Sequence, residues 1–197
     1  SENHLYSIED GGDYFYALSN YDDAKNFKVM RLEKDDFQNI NNWEEVIEVR
    51  DTHYIEDMLT FREFIVIQSR YDGIPIIEVF NLANNSLSQI TMKDEVYDLG
   101  LVYNNDFDSS FFRYSYSSLK TSPQILKYDL FDNSNNVIWK KQVNNFTDTD
   151  YDVRRIKTVA RDKTKVPVSI VYKKGLNLKN APMLIYGYGS YGINMDS

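Results

Sequence analysis

In FIVIQSRYDGIPIIEVFNL, Phe64 to Leu82, a β-rich run ends at a serine, Ser69, and a second run ends thirteen positions later at a leucine, Leu82. The same pair of anchors recurs on either side, as Ser19 with Leu32 and as Ser117 with Leu130, at spacings of 50 and 48 residues. The runs that reach the serines are YFYALS (Tyr14 to Ser19), FIVIQS (Phe64 to Ser69) and FRYSYS (Phe112 to Ser117); those that reach the leucines are FKVMRL, IEVFNL and LKYDL. Aromatic and β-branched residues that alternate or run together are what a pleated, half-buried or buried surface selects. Each pair is followed by a polar turn and another strand-like run: EEVIEVR (Glu44 to Arg50), SLSQITM (Ser86 to Met92) and NVIWKKQV (Asn136 to Val143). A weaker run precedes each serine: HLYSI, HYIEDML and VYDLGLVY.

Four strands in 40 to 50 residues, with turn residues between them, is the unit of a β-propeller blade. Three such units fall short of the roughly four to eight blades that close a propeller, so the repeats are expected to be part of one. The competing reading is an antiparallel β-sandwich with accidental spacing. Composition admits either: 42% of the 197 residues are hydrophobic and 15% aromatic, and no apolar run approaches the roughly 18 residues of a membrane span. A soluble globular chain is expected, without membrane partners. The absence of cysteine excludes disulfides, thiolate metal sites and a thiol nucleophile, and two histidines, His4 and His53, cannot make a zinc site by themselves. No cofactor or metal is expected. The sequence begins at Ser1 without an initiator methionine or a targeting segment, which suggests a piece excised from a longer protein. A cytoplasmic location is the default expectation, a periplasmic one the alternative.

Charge divides the chain near Tyr151. Residues 151–197 hold nine basic side chains against three acidic ones, a surplus of +6, and subtracting it from the net −8 leaves −14 for residues 1–150. The shift reads as a domain boundary, and the acidic portion disfavours nucleic acid while favouring cations or basic peptides. Beyond it, Ile156 to Arg161 and Val166 to Lys173 read as strands joined by the polar turn DKTK. GLNLKNAP reads as a loop, and MLIY (Met183 to Tyr186) as a short buried strand. Gly187, Gly189 and Gly192 then satisfy G-x-G-x-x-G, but a dinucleotide site needs a following helix and an acidic residue about 20 positions on, with small residues at the turn. Tyr188 and Tyr191 crowd that turn. They suit a different use, in which a loop at a strand's C-terminal end aims a phenol hydroxyl at a developing oxyanion.

RRIKTVARDKTKVPVSIVYKK followed by PMLIYGYGSYG strongly resembles the prolyl oligopeptidase family of serine peptidases, and within it the oligopeptidase B (protease II) branch. The likeness extends upstream through GGDYFYALSN, AKNFKVMRL, WEEVIEVRD and FRYSYSSLKTSPQILKYDL, and so covers nearly the whole chain. The resemblance implies a mainly β chain: the last three blades of a seven-bladed propeller over residues 4–144, divided at about 4–51, 52–93 and 94–144. It implies that residues 151–197 open an α/β-hydrolase peptidase domain.

By the same resemblance Tyr188, the second tyrosine of Y-G-Y-G, stands where the family places its oxyanion-hole hydroxyl. Loss of one such donor typically costs about 10² to 10³ in turnover. Tyr191 stands at an aromatic wall for the substrate, and Asp196 at an acid that holds a basic substrate residue, since carboxylates pair with Arg or Lys. The serine nucleophile, aspartate and histidine of the family lie later in its sequence and have no counterpart here; Ser190 is not that serine, because Tyr188 stands where the nucleophile elbow requires glycine. The resemblance therefore implies an inactive fragment of an oligopeptidase that cleaves short peptides after Lys or Arg. The alternative is a non-enzymatic propeller scaffold. Open blade faces are expected to favour self-association.

Overall fold

The computed structural model describes residues 3–36, 39–191 and 193–196; Gly192 of the glycine pattern lies outside them. Each repeat folds as one four-stranded antiparallel meander. The first contains β1 (Tyr6–Gly11), β2 (Tyr14–Ser19), β3 (Lys28–Glu33) and β4 (Glu44–Ile47). In the second are β5 (His53–Thr60), β6 (Phe64–Tyr71), β7 (Ile74–Asn81) and β8 (Ser86–Gln89), and in the third β9 (Asp98–Leu101), β10 (Phe111–Ser117), β11 (Gln124–Asp129) and β12 (Asn135–Lys140). The sandwich alternative fails on this topology, because every sheet pairs only strands consecutive in sequence. Among the described residues no strand of one sheet is ladder-paired with a strand of another.

Local chemistry sets the turns. Tyr71 pairs with Ile74 across Asp72 and Gly73, which take φ of 48° and 77°. An Asp-Gly pair with both residues left-handed is the two-residue turn whose twist matches the strands it joins. At the first hairpin Gly11 is required for space: a Cβ there would run into the buried Tyr16 ring. In β5 the pairing slips between Ile55 and Asp57, leaving Glu56 as an extra residue. Such a bulge re-aims a side chain, and here it lets Ile55 and Met58, three apart, both face the core.

The core lies between the sheets, with the second repeat in the middle. Ile65 and Ile67 of β6 pack with Tyr16, Leu18, Val29 and Ile47 of the first sheet. Phe64 and Val66, on the other face of the same strand, pack with Phe112, Tyr114 and Tyr116 of the third. A strand covered on both faces needs apolar residues at successive positions, which is why FIVI runs without alternation. Fully burying each such side chain contributes about 1.5–3 kcal/mol.

Two polar clusters are built into this apolar stack. Arg50, after β4, donates two hydrogen bonds of 2.7 Å each to Glu78 on β7, and the anchor serine Ser69 donates a third at 2.6 Å. Burial alone would raise the Glu78 carboxyl; these hydrogen bonds and the Arg50 charge outweigh it and hold the group below its ordinary value. Just before the third sheet, Asp94 Oδ2 accepts from Tyr116, Ser118 and Thr121 at 2.8–2.9 Å. Lys120 Nζ lies 3.2 Å from the other carboxylate oxygen, a charge contact rather than an aligned hydrogen bond.

The chain continues as a hairpin, β13 (Tyr151–Val159) and β14 (Lys165–Lys173), paired in register from Tyr151↔Lys173 to Val159↔Lys165. It starts five residues earlier than the predicted strand and turns at Arg161 and Asp162, closed by the Lys163 N–H donating to the Ala160 carbonyl. The expectation of a buried strand at MLIY is not met. Residues 181–189 have no strand pairing, and Met183, Leu184, Ile185 and Tyr186 are 79–92% exposed. A strand is defined by its neighbours, and none of the described strands lies beside this run.

Candidate functional site

The carboxy-terminal segment meets the second sheet at the β6–β7 turn. Asp72 of that turn accepts from Lys157 at 3.1 Å and pairs with Arg155 at 3.2 Å, while Arg155 also donates to the Asp72 carbonyl. The hydrogen bond from Lys157 is the largest of the effects that hold the exposed Asp72 carboxyl below its ordinary value, and the charges of Arg155 and Lys157 add to it. A Cβ on Gly73 would lie 3.3 Å from the Arg155 guanidinium, so the glycine also lets the arginine reach the turn.

Two residues before Asp72, Arg70 makes the second contact. Its guanidinium donates to both carboxylate oxygens of Asp196, from Nη1 at 2.7 Å and from Nη2 at 2.9 Å. Nε donates to Glu56 at 2.9 Å and Nη1 also to the Gly73 carbonyl at 3.0 Å. The bulge at Glu56 places its carboxylate where Arg70 and Gln68 both reach it, Gln68 Nε2 at 3.1 Å. Gln68 Oε1 in turn accepts the Leu101 N–H of the third sheet at 3.0 Å. Burial opposes the charge on Arg70, but the hydrogen bonds it donates to Asp196 and Glu56 more than compensate and raise its pKa further above the ordinary arginine value. Burial first, and then the charge of Asp196, push the nearby Asp98 carboxyl up.

Of the three residues singled out in the sequence, Asp196 is therefore tied to the second sheet. Tyr188 and Tyr191 are not: they are 49% and 92% exposed, and neither hydroxyl has a hydrogen-bond partner among the described residues. Tyr191 takes φ of 56°, a left-handed conformation uncommon for a bulky side chain, in a turn closed by Ile193 N–H donating to the Ser190 carbonyl. Gly187 and Gly189 have open space around them and no left-handed requirement, so the structure gives no close-approach reason for those two glycines. His4 binds Ser19 Oγ at 2.8 Å, and His53 stacks on Tyr71 with ring centroids 4.8 Å apart, so each histidine sits among strand side chains. Sequence reasoning missed Arg70 and Glu56. The acid and base spaced along the same hairpin were visible, but the contact to Asp196 spans 126 positions.

Comparison with known proteins places this geometry in a family. Residues 1–142 match the model of the prolyl oligopeptidase N-terminal beta-propeller domain. The chain is 30% identical over 193 residues to dipeptidyl aminopeptidase BI of Pseudoxanthomonas mexicana, covering 97% of this chain and 26% of that protein. It is 28% identical over 194 residues to protease 2 of Moraxella lacunata, covering 98% and 27%. Among solved structures it superposes on oligopeptidase B from Trypanosoma brucei, in a closed form with covalently bound antipain, with a TM-score of 0.89, 28% identity, and coverage of 100% of this chain and 29% of that one. Oligopeptidase B from Leishmania major, at 24% identity and a TM-score of 0.90, shows the same fold. The chain thus spans about a quarter of the length of the relatives it matches. With three blade sheets in sequence order and the propeller model matched across most of its length, the chain belongs to the prolyl oligopeptidase family of serine peptidases.

Proposed function

We propose that this chain is the end of the propeller and the beginning of the catalytic domain of a serine oligopeptidase that hydrolyses short peptides after Lys or Arg. The observation that carries the reading is that the likeness to two peptidases runs over 97–98% of the chain, through the tyrosine loop and beyond the 142 residues of the propeller match. In this reading 4–144 is the partial propeller and 151–197 the start of the α/β-hydrolase domain. Tyr188 is the hydroxyl donor to the oxyanion, Tyr191 an aromatic wall, and Asp196 the acceptor of a basic substrate side chain. Support for the last role comes from the two-pronged bond that Asp196 makes to a guanidinium, the geometry an arginine substrate would need.

The chain by itself lacks a nucleophile elbow and is expected to be inactive. The test compares it with a polypeptide extended through the reading frame beyond Ser197, on a fluorogenic peptide ending in Arg, with and without a serine-directed phosphonate. Cleavage and labelling by the extended polypeptide alone are the expected result. If neither cleaves nor labels, a propeller scaffold without peptidase activity becomes the better account; if the extended polypeptide cleaves with no preference for Arg or Lys, the specificity assignment falls and the peptidase assignment stands.

A further inference from the structure

We propose that Arg70 is the resting counter-ion of Asp196, seated where the cationic side chain of a peptide would bind, so that a basic ligand gains the carboxylate by displacing a propeller side chain. The inference rests on the reading of Asp196 as the acceptor of a basic residue.

Three observations carry it. First, Arg70 and Asp196 are unequally anchored. Without Asp196, Arg70 keeps Glu56 on Nε and the Gly73 carbonyl on Nη1, while both described hydrogen bonds of the Asp196 carboxylate come from Arg70. The guanidinium thus has a seat on the blade to fall back to, and the carboxylate becomes available when it does. Second, the seat is braced. Glu56 stands at a bulge and is held by Gln68, which is itself fixed to the backbone of the third sheet, so Arg70 is presented by two blades rather than by a free side chain. Third, the surroundings favour a second cation. Glu56, Asp98 and Asp196 offer three carboxyls to one guanidinium, and the Arg70–Asp196 pair retains 15% and 20% side-chain exposure, so water and ligand reach it. A fully exposed ion pair would carry little; this one is partly shielded and bidentate, and an incoming guanidinium can reproduce both of its hydrogen bonds.

The role is one of positioning and specificity. Arg70 sets the threshold a substrate cation has to pass, and it ties occupancy of Asp196 to the contact between the second blade and the carboxy-terminal segment.

The experiment titrates the full chain with acetyl-arginine amide, followed by NMR at the Arg70 Nε–H and at the Ile193–Asp196 amides. R70Q should tighten binding by roughly tenfold or more, since the competitor is gone, and D196N should abolish binding in both the wild-type and the R70Q background. R70K, which keeps the charge but not the two-pronged geometry, should fall between and provides the same comparison if R70Q fails to fold. A purely structural arginine would not yield a gain in affinity. If neither Arg70 variant binds more tightly while D196N abolishes binding, the counter-ion role is overturned and the acceptor role of Asp196 stands. If D196N still binds, both fall.

Discussion

Tyr188 is half exposed and its hydroxyl is uncommitted among the described residues, as a donor reserved for a charge that forms only during a reaction would be. In the extended polypeptide, Tyr188→Phe is expected to lower kcat by about 10² to 10³ with KM little changed; steady-state kinetics that leave kcat intact would remove the tyrosine from the oxyanion site. Glu78 makes a residue-scale prediction about pH. Its folded pKa lies below the ordinary 4.5 despite burial, so its contribution to stability is complete above the unfolded value and is lost as pH falls through the folded one. Urea midpoints measured from pH 7 downwards should fall steeply below about pH 4.5 for the native chain. Glu78→Gln should be less stable at pH 7, where Arg50 loses its partner, and should show a flatter acid limb. The sequence marked Tyr188, Tyr191 and Asp196 through motif likeness. It could not mark Arg70, because no local pattern distinguishes an arginine aimed at solvent from one that meets a carboxylate 126 positions away.

At the scale of elements, what the strands bury decides their energetic weight. Ile67 of β6 is wholly buried between the first two sheets, whereas Ile156 of β13 is 45% exposed. Ile67→Ala is expected to cost about 2–5 kcal/mol and Ile156→Ala under about 1 kcal/mol; equal losses in chemical denaturation would show that the sheet stack is not the stabilising unit. Hairpins and strand pairs were legible because alternation, apolar runs and the Asp-Gly turn are local signals. The bulge at Glu56 was not, since a one-residue slip leaves the composition of the strand unchanged and shows only in its pairing with β6. MLIY misled for the opposite reason: its apolar run describes a strand, but pairing depends on neighbours that the run does not encode.

Over the whole molecule, the outer sheets leave apolar surface uncovered. Val137, Ile138 and Trp139 of β12 are each about half exposed, and on the first sheet Tyr6 and Ile8 line an apolar cleft with His4, Tyr21, Met30 and Trp43. Patches of this kind on blade faces and edges favour association. Sedimentation velocity over a hundredfold concentration range is expected to show mass rising with concentration, and a single monomer boundary throughout would count against it. The sequence by itself determined the repeat of four strands, the change of character near Tyr151 and the family likeness, because each is carried by residue types at short, regular spacing. Only the tertiary structure decided that the second repeat is buried on both faces, that Arg50 and Ser69 converge on Glu78, and that Arg70 holds Asp196. Except for Ser69 and Glu78, which share a hairpin, these are contacts between separate segments of the chain, where packing and charge select the partner and no local periodicity records the choice.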